Sequence, residues 1–442
     1  MSSEENKVVV FGLGFVGLPF GLLLAERGLE ILGVDPNPKV IDFLNQATPH
    51  FYETGLQELL QKHIGKSFRV QPSLGERFGC TYIVTVGTPI DNMKADLSAI
   101  TQVSEAIAAV IAKGDLVILR STVPVGTTRS LVVPILERSG LNAESDFSVV
   151  FAPERVVQGA SLEELSGLPQ IIGAITSAGA AKAEKFFSAI AKQIRIVESI
   201  EAAELIKLAN NSFRDVTFGF SNELANLCDV LNLDPETVIA AANENYPRSH
   251  IPMPSPGVGG YCLTKDPYIL LYDALINNVD MPVIRSARTV NEEMPLRVAR
   301  KVERFFAAAR NESVEGKRIA ILGLAFKGRP ATSDMRFSPS LEVADFLRNK
   351  GANVIGHDFH TGKNKLTPLP FEEAASIANA LQDADAVLVM TNNREYGGEE
   401  MLKCLDRLNT PALIFDPWNL LGSQRHKTDA KLYYANMGYS NF

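Results

Sequence analysis

Cysteine and tryptophan are scarce in this 442-residue chain, at four and one. The cysteines, at 80, 228, 262 and 404, lack zinc-ligand spacing and are too few for a disulfide framework. They imply a reducing compartment, where an exposed thiol calls for a chemical reason. An excess of basic charge is missing too: 43 Lys and Arg stand against 51 Asp and Glu, for a net charge of −8. That argues against a nucleic-acid binder and against a basic membrane-surface protein. No apolar run approaches the roughly 20 residues of a membrane span. The polar, acidic start Met1–Lys7 carries no secretory pattern. A cytoplasmic protein is expected. Hydrophobic residues at 46% and charged residues at 21% are ordinary globular usage and exclude disorder as the main state. The length suggests about three domains.

The first forty residues carry a strong signal. Lys7–Phe11 is a β-branched apolar run, the pattern of a strand buried on both faces. Gly12-Leu-Gly-Phe-Val-Gly17 follows, then a helical stretch Leu18–Glu26, a glycine at 28, and a second strand Glu30–Val34 ending in Asp35. A lone G-x-G-x-x-G is weak. Placed between strand and helix, with an acid 18 residues after its last glycine, it is a dinucleotide-binding fingerprint. Gly12 permits the turn, Gly14 admits a pyrophosphate, and Gly17 lets helix and strand pack. Asp35 suits the ribose hydroxyls and repels a 2′-phosphate, so NAD is expected rather than NADP. Further strands, Tyr82–Val86, Leu116–Arg120 and Ser148–Phe151, end in Gly-Thr-Pro, Ser-Thr-Val-Pro-Val-Gly and Ala-Pro-Glu-Arg. In a doubly wound sheet these ends form the rim of a site.

From Ile200 to Asn243 the pattern is helical, with Lys207, Asn211 and Arg214 on one face. A polar stripe in so apolar a helix suits a wet cleft. Four prolines and three glycines between Tyr246 and Cys262 exclude regular structure before the thiol. Cys80, Cys228 and Cys404 read as small buried hydrophobes. Cys262, in Gly-Gly-Tyr-Cys-Leu-Thr-Lys-Asp, reads as a nucleophile held on a rigid loop. A thiol beside a nicotinamide suggests an alcohol oxidised to an aldehyde, trapped as a thiohemiacetal, oxidised again to a thioester and hydrolysed. Lys207 and Asn211 suit the oxyanions of that sequence.

The second half echoes the first. Lys317–Gly328 repeats the strand and turn as G-x-A-x-x-G. A helix Ser340–Lys350 and strands Asn353–Gly356, Ala386–Met390 and Ala412–Phe415 follow. A helical stretch, about Val290–Asn311, links the halves and offers a dimer face. His357 and His360 read as ordinary loop residues, and the chain after about Ser423 as prone to fray. The expected fold is α/β: two doubly wound Rossmann-like domains joined by a helical central region. The expected boundaries are 1–199, 200–314 and 315–442.

These motifs together resemble the UDP-glucose/GDP-mannose dehydrogenase family: Gly12-Leu-Gly-Phe-Val-Gly-Leu, Ser121-Thr-Val-Pro-Val-Gly, Pro153-Glu-Arg, Lys207-Leu-Ala-Asn-Asn, Gly257-Val-Gly-Gly-Tyr-Cys-Leu-Thr-Lys-Asp and Gly323-Leu-Ala-Phe-Lys. The resemblance runs from about Lys7 to about Asn419. It implies a four-electron oxidation at C6 of a nucleotide sugar, with the C-terminal domain holding the UDP-sugar. It implies that Cys262 is the nucleophile and Glu154 the base for thioester hydrolysis. Lys207 and Asn211 then stabilise oxyanions, and Thr122 and Asp266 position water or the lysine. It places Gly12, Gly14, Phe15, Val16, Gly17, Asp35, Thr88, Thr122 and Arg336 at NAD. It places Arg155, Val156, Lys207, Asn211, Arg214, Tyr246, Arg248, Gly259 and Lys327 at the sugar nucleotide. A homodimer or larger homo-oligomer is expected. Pro153-Glu-Arg, where UDP-glucose enzymes typically read Pro-Glu-Phe-Leu, favours a UDP-N-acetylhexosamine. Tyr261, where acetamido relatives often carry histidine, favours UDP-glucose. Two other readings stay open: a two-electron hydroxyacid-type dehydrogenase, and a non-catalytic nucleotide-sugar or NAD sensor.

Overall fold

The computed structural model describes residues 6–248, 250–361, 369–422 and 431–442. The chain divides into two compact units. The first is Met1–Asn211 with Tyr268–Asp280, and the second is Ser212–Pro267 with Met281–Phe442.

The first unit is built on a sheet of eight strands: β1 (Lys7–Phe11), β2 (Glu30–Val34), β3 (Phe68–Gln71), β4 (Thr81–Val84), β7 (Leu116–Leu119), β8 (Ser148–Phe151), β9 (Gln170–Ala174) and β10 (Ile194–Ile196). A small hairpin of β5 (Ile90–Asp91) and β6 (Lys94–Ala95) stands apart. The sheet order is β10-β9-β8-β7-β4-β1-β2-β3, parallel throughout except where β9 runs antiparallel to β8. Val8, Val9 and Val10 are fully buried because both sheet faces are covered. Val8 and Val10 join Leu18, Leu22 and Phe187 on one side. Val9 and Phe11 join Val117, Leu136 and Phe151 on the other. The helix Gly17–Glu26 is buried over all but its last residue, so its sequence shows almost no polar face.

The second unit repeats the plan. Its strands β11 (Arg318–Leu322), β12 (Asn353–His357), β13 (Glu372–Glu373), β14 (Ala386–Val389), β15 (Ala412–Phe415) and β16 (Leu432–Ala435) form one parallel sheet in the order β13-β12-β11-β14-β15-β16. The order matches β3-β2-β1-β4-β7-β8, so the sequence echo is a structural repeat. Gly12 and Gly323 both take a left-handed turn after the first strand, at φ +84° and +91°. The Leu13 and Leu324 N–H groups donate to Asp35 and Asp358 at the end of the second strand.

The central helix Ile200–Leu231 belongs to the first unit through Asn211 and to the second beyond it. The expected helical run to Asn243 is broken after Leu231. Asn232 turns left-handed, Asp234 caps the next helix through its carboxylate, and Pro235 opens Pro235–Asn243. The helix expected from about Val290 begins earlier, at Pro282, and carries Pro295 inside it. His357, read as a loop residue, is the buried last residue of β12, with its ring against the Tyr396 hydroxyl at 3.2 Å. The tail expected to fray after Ser423 is partly outside the described residues, at 423–430. Beyond it β16 pairs with β15, and the Phe442 ring lies 5.6 Å from Phe305. No helix among the described residues is long and apolar enough to cross a membrane.

Candidate active site

Each unit carries a cluster of the expected residues. In the first, the turn after β1 is shaped for a dinucleotide. A Cβ on Gly17 would fall inside the Gly12 carbonyl, so helix and turn approach as only glycine allows. At Gly14 nothing lies within 4 Å of where a Cβ would be, so the backbone there is open to a phosphate. Val16 is the residue before the helix, and the Phe15 ring stacks on Phe51 at 4.2 Å. Asp35 receives the Leu13 N–H at 2.9 Å and the Asn37 N–H at 3.0 Å, which fixes its carboxylate at the end of β2. These residues fit NAD.

The rim loops are tied to each other. Thr88 donates to the Thr122 carbonyl at 2.6 Å. Two carboxylates hold the rest of the Ser121–Gly126 loop: Asp273 receives the Val125 N–H at 2.9 Å, and Glu204 receives Gly126 N–H at 2.5 Å. Burial raises the proton affinity of both acids against those bonds.

At the end of β8, Glu154 is buried and fully engaged. One carboxylate oxygen is paired with Arg120. The other accepts N–H groups from Arg155 at 2.7 Å and Val156 at 2.9 Å. Burial pushes this carboxyl up, but Arg120 outweighs it, with help from Val156 N–H and Lys207, so it stays below the usual carboxylate range. The Arg120 guanidinium lies over the Phe20 ring at 4.5 Å and bonds Gln170 at 3.2 Å. From the central helix, buried Lys207 donates to the Glu154 backbone carbonyl. Asn211, one turn on, is also buried. The Arg155 side chain is turned onto the Pro169 carbonyl.

In the second unit, Cys262 is exposed on a turn that leads into the helix Asp266–Ile276. Its carbonyl receives the Asp266 N–H at 2.9 Å. Lys265 is buried and bonds Asp266 at 2.7 Å. Burial pulls Lys265 down, but Asp266, and then the negative form of Cys262, hold its proton more tightly than usual. Arg336 is paired with Asp334 at 2.7 Å and lies 4.7 Å over the Tyr261 ring. Burial lowers it, and the Asp334 bond outweighs that, with Cys262 again contributing. Two cations therefore share the field of the Cys262 sulfur.

The remaining expected residues are spread over this unit. Arg214 is exposed. Arg248 lies against Tyr246, its Nε 3.2 Å from the hydroxyl, both exposed. Gly259 is buried against the Phe337 carbonyl. Lys327 Nζ lies 5.6 Å from the centre of the Phe326 ring. Arg120, Lys265 and Tyr261 were not among the expected site residues. Tyr261 and Lys265 lie in the motif around Cys262, and Arg120 left a signal as a charge ending the apolar run Leu116–Leu119 at the carboxyl edge of the sheet.

Three family models match the chain. The NAD binding domain of the UDP-glucose/GDP-mannose dehydrogenase family matches residues 6–191, its central domain 201–293, and its UDP binding domain 320–423. A UDP-N-acetyl-D-mannosamine dehydrogenase of Campylobacter jejuni is 35% identical, over 89% of this chain and 97% of its own. An NDP-N-acetyl-D-galactosaminuronic acid dehydrogenase of Ralstonia solanacearum is 34% identical, over 89% and 92%. The solved structure of UDP-D-ManNAc dehydrogenase from Pyrococcus horikoshii aligns with a TM-score of 0.83 at 31% identity, over 98% of this chain and 99% of that one. The chain belongs to the UDP-glucose/GDP-mannose dehydrogenase family of NAD-dependent nucleotide-sugar dehydrogenases.

Proposed function

We propose that the chain oxidises the C6 hydroxyl of a UDP-N-acetylhexosamine to the carboxylate, in two steps through Cys262, to supply a uronic acid for polysaccharide assembly. The observation that carries the two-step reading is the exposed Cys262 in the field of Lys265 and Arg336. A dehydrogenase that stops at the first oxidation has no use for a thiol so placed. The acetamido sugar is supported by what the relatives above are named for and by Pro153-Glu154-Arg155. Tyr261 favours UDP-glucose as the second reading.

NAD, held by Gly12, Gly14, Phe15, Val16, Gly17 and Asp35 with Thr88 and Thr122, supplies the two-electron acceptor for each oxidation. The alcohol becomes an aldehyde, and the Cys262 thiolate adds to its carbonyl carbon. Lys207 and Asn211 stabilise the resulting oxyanion, which is collapsed to a thioester in the second oxidation. Glu154, held anionic by Arg120, takes a proton from the water that cleaves the C–S bond, and the thiol is regenerated. Thr122 and Asp266 position water and lysine. Arg155, Val156, Arg214, Tyr246, Arg248, Gly259 and Lys327 contact the sugar nucleotide, and Arg336 the cofactor side. In sum, one alcohol, one water and two NAD⁺ give one carboxylate, two NADH and three protons.

A catalytic thiol works only reduced, which supports a cytoplasmic location. Phe213, Phe220 and Leu227, seven residues apart on the central helix, are 68%, 56% and 55% exposed, and Leu231 continues the stripe. Such a row suits a helix pairing with a second copy of the chain, giving a homodimer. The test of the mechanism is Cys262→Ala: acid formation should be lost. Acid formed at the native rate would sink the Cys262 route and return the two-electron reading.

A further inference from the structure

Arg288 lies in the second unit, 1% exposed, on the helix Pro282–Phe305. No step above uses it, and a buried arginine is costly unless its charge is matched. Here it is matched in an unusual way. One Nη donates to Asp215 on the central helix at 2.6 Å and to the Leu263 carbonyl at 3.0 Å. The other reaches the Val258 carbonyl at 3.3 Å. Val258 and Leu263 are the residues on either side of Gly259-Gly260-Tyr261-Cys262. A single guanidinium therefore holds both ends of the segment that presents the thiol. The opposite side of the segment is gripped as well. A Cβ on Gly260 would stand 2.7 Å from the Phe326 ring, and one on Gly259 would strike the Phe337 carbonyl.

The guanidinium is itself braced. Asn291 donates to the Asp215 carboxylate and backbone carbonyl at 2.9 Å, and Asn222 donates to Asn291 at 2.9 Å. The Asn222 carbonyl oxygen then receives the Ser255 N–H at 2.9 Å, which anchors the loop again upstream. The network joins two helices to one loop through side chains that are all buried.

We infer that Arg288 is the positioning residue for Cys262: its fork fixes the backbone at Val258 and Leu263 so that an exposed sulfur still meets the aldehyde at one place. The inference rests on the reading of Cys262 as nucleophile. A planar fork serves a carboxylate and two carbonyls at once, which a lysine ammonium in the same space does not reproduce. A displacement of about 1 Å at a nucleophile costs on the order of 100-fold in rate. Binding of the sugar nucleotide and the first oxidation do not depend on the sulfur.

The test is Arg288→Lys in the full chain, with Cys262→Ala alongside, assayed with NAD⁺ and limiting UDP-N-acetylhexosamine. NADH per sugar and aldehyde trapped by semicarbazide are the readouts. For R288K the expected result is a ratio falling from two toward one, with aldehyde released. Acid formation should slow by about 10- to 100-fold. A ratio that stays at two without aldehyde, whatever the fall in rate, means that Arg288 only stabilises the fold, and overturns the inference. If C262A also makes acid, the Cys262 reading itself fails, and that result is separate from anything seen in R288K. Should R288K not fold, Asn291→Ala leaves the guanidinium in place but removes its brace. It should show the same fall in ratio at smaller amplitude, and an unchanged ratio there overturns the inference equally.

Discussion

Replacing Arg120 by methionine isolates the main electrostatic support of the first cluster. The side chain is fully buried, sits over Phe20 and Phe187, and pairs with a Glu154 carboxylate that is itself buried. Methionine keeps much of the packing and removes the charge. The carboxylate then retains the Arg155 and Val156 N–H groups and the field of Lys207. Removing one partner of a buried pair costs about 3–5 kcal/mol, and the two remaining N–H bonds favour the lower end of that range. The pH dependence changes sign with it. In the native chain the Glu154 proton affinity is depressed, so its stabilisation is present above the unfolded value of 4.5 and lost as pH falls below it. In R120M burial prevails and the folded value rises, so stability falls as pH climbs past 4.5. The gap between native and variant therefore widens from about pH 4 to about pH 7. Equilibrium urea unfolding followed by far-UV circular dichroism measures it. Glu154→Gln added to R120M should recover at least about 2 kcal/mol, because no buried charge is left unpaired. A loss under about 1 kcal/mol in R120M, or a gap that does not change with pH, would refute the argument.

Two further outcomes follow from single features. His50 is held neutral, its pKa pushed down to about 4 by burial against the pull of Asp35. The unfolded side chain takes its proton near 6.5, so stability is lost as pH falls from 6.5 toward about 4, by roughly 2–3 kcal/mol with partial exposure allowed for. His50→Gln should flatten that limb of the urea midpoint against pH, and an unchanged limb would contradict the assignment. Phe220→Asp with Leu227→Asp places two charges in the exposed stripe of the central helix. Light scattering after gel filtration should then show monomers for the variant against the proposed dimer for the native chain, and a dimer that survives both changes excludes this face.

Much of the fold was legible because parallel strands buried on both faces leave continuous apolar runs. Lys7–Phe11, Glu30–Val34 and Ser148–Phe151 are strands over those very residues. The repeat was legible because turn and acid recur together, at Gly12 with Asp35 and at Gly323 with Asp358. Other features were hidden by competing signals. The helix placed from about Val290 opens at Pro282, whose missing N–H is not needed in the first turn. Pro295 lies inside that helix and is buried. The final strand followed a polar stretch, and the apolar signal in Leu432-Tyr-Tyr-Ala435 was short. Among the candidate site residues, Cys262 stood out through the prolines and glycines before it. Arg120 showed only as a charge ending an apolar run and Arg288 not at all, because nothing in a sequence marks a buried arginine from a solvated one. Their partners, Glu154 and Asp215, lie 34 and 73 residues away.

The central claim is a four-electron oxidation of an acetamido sugar, and counting NADH by its near-ultraviolet absorbance tests it most directly. NAD⁺ in excess is given limiting UDP-N-acetylmannosamine, UDP-N-acetylglucosamine, UDP-N-acetylgalactosamine or UDP-glucose. The account predicts two NADH per sugar with an acetamido substrate. Two with UDP-glucose alone would contradict the choice of sugar, and one NADH per sugar would contradict the role given to Cys262.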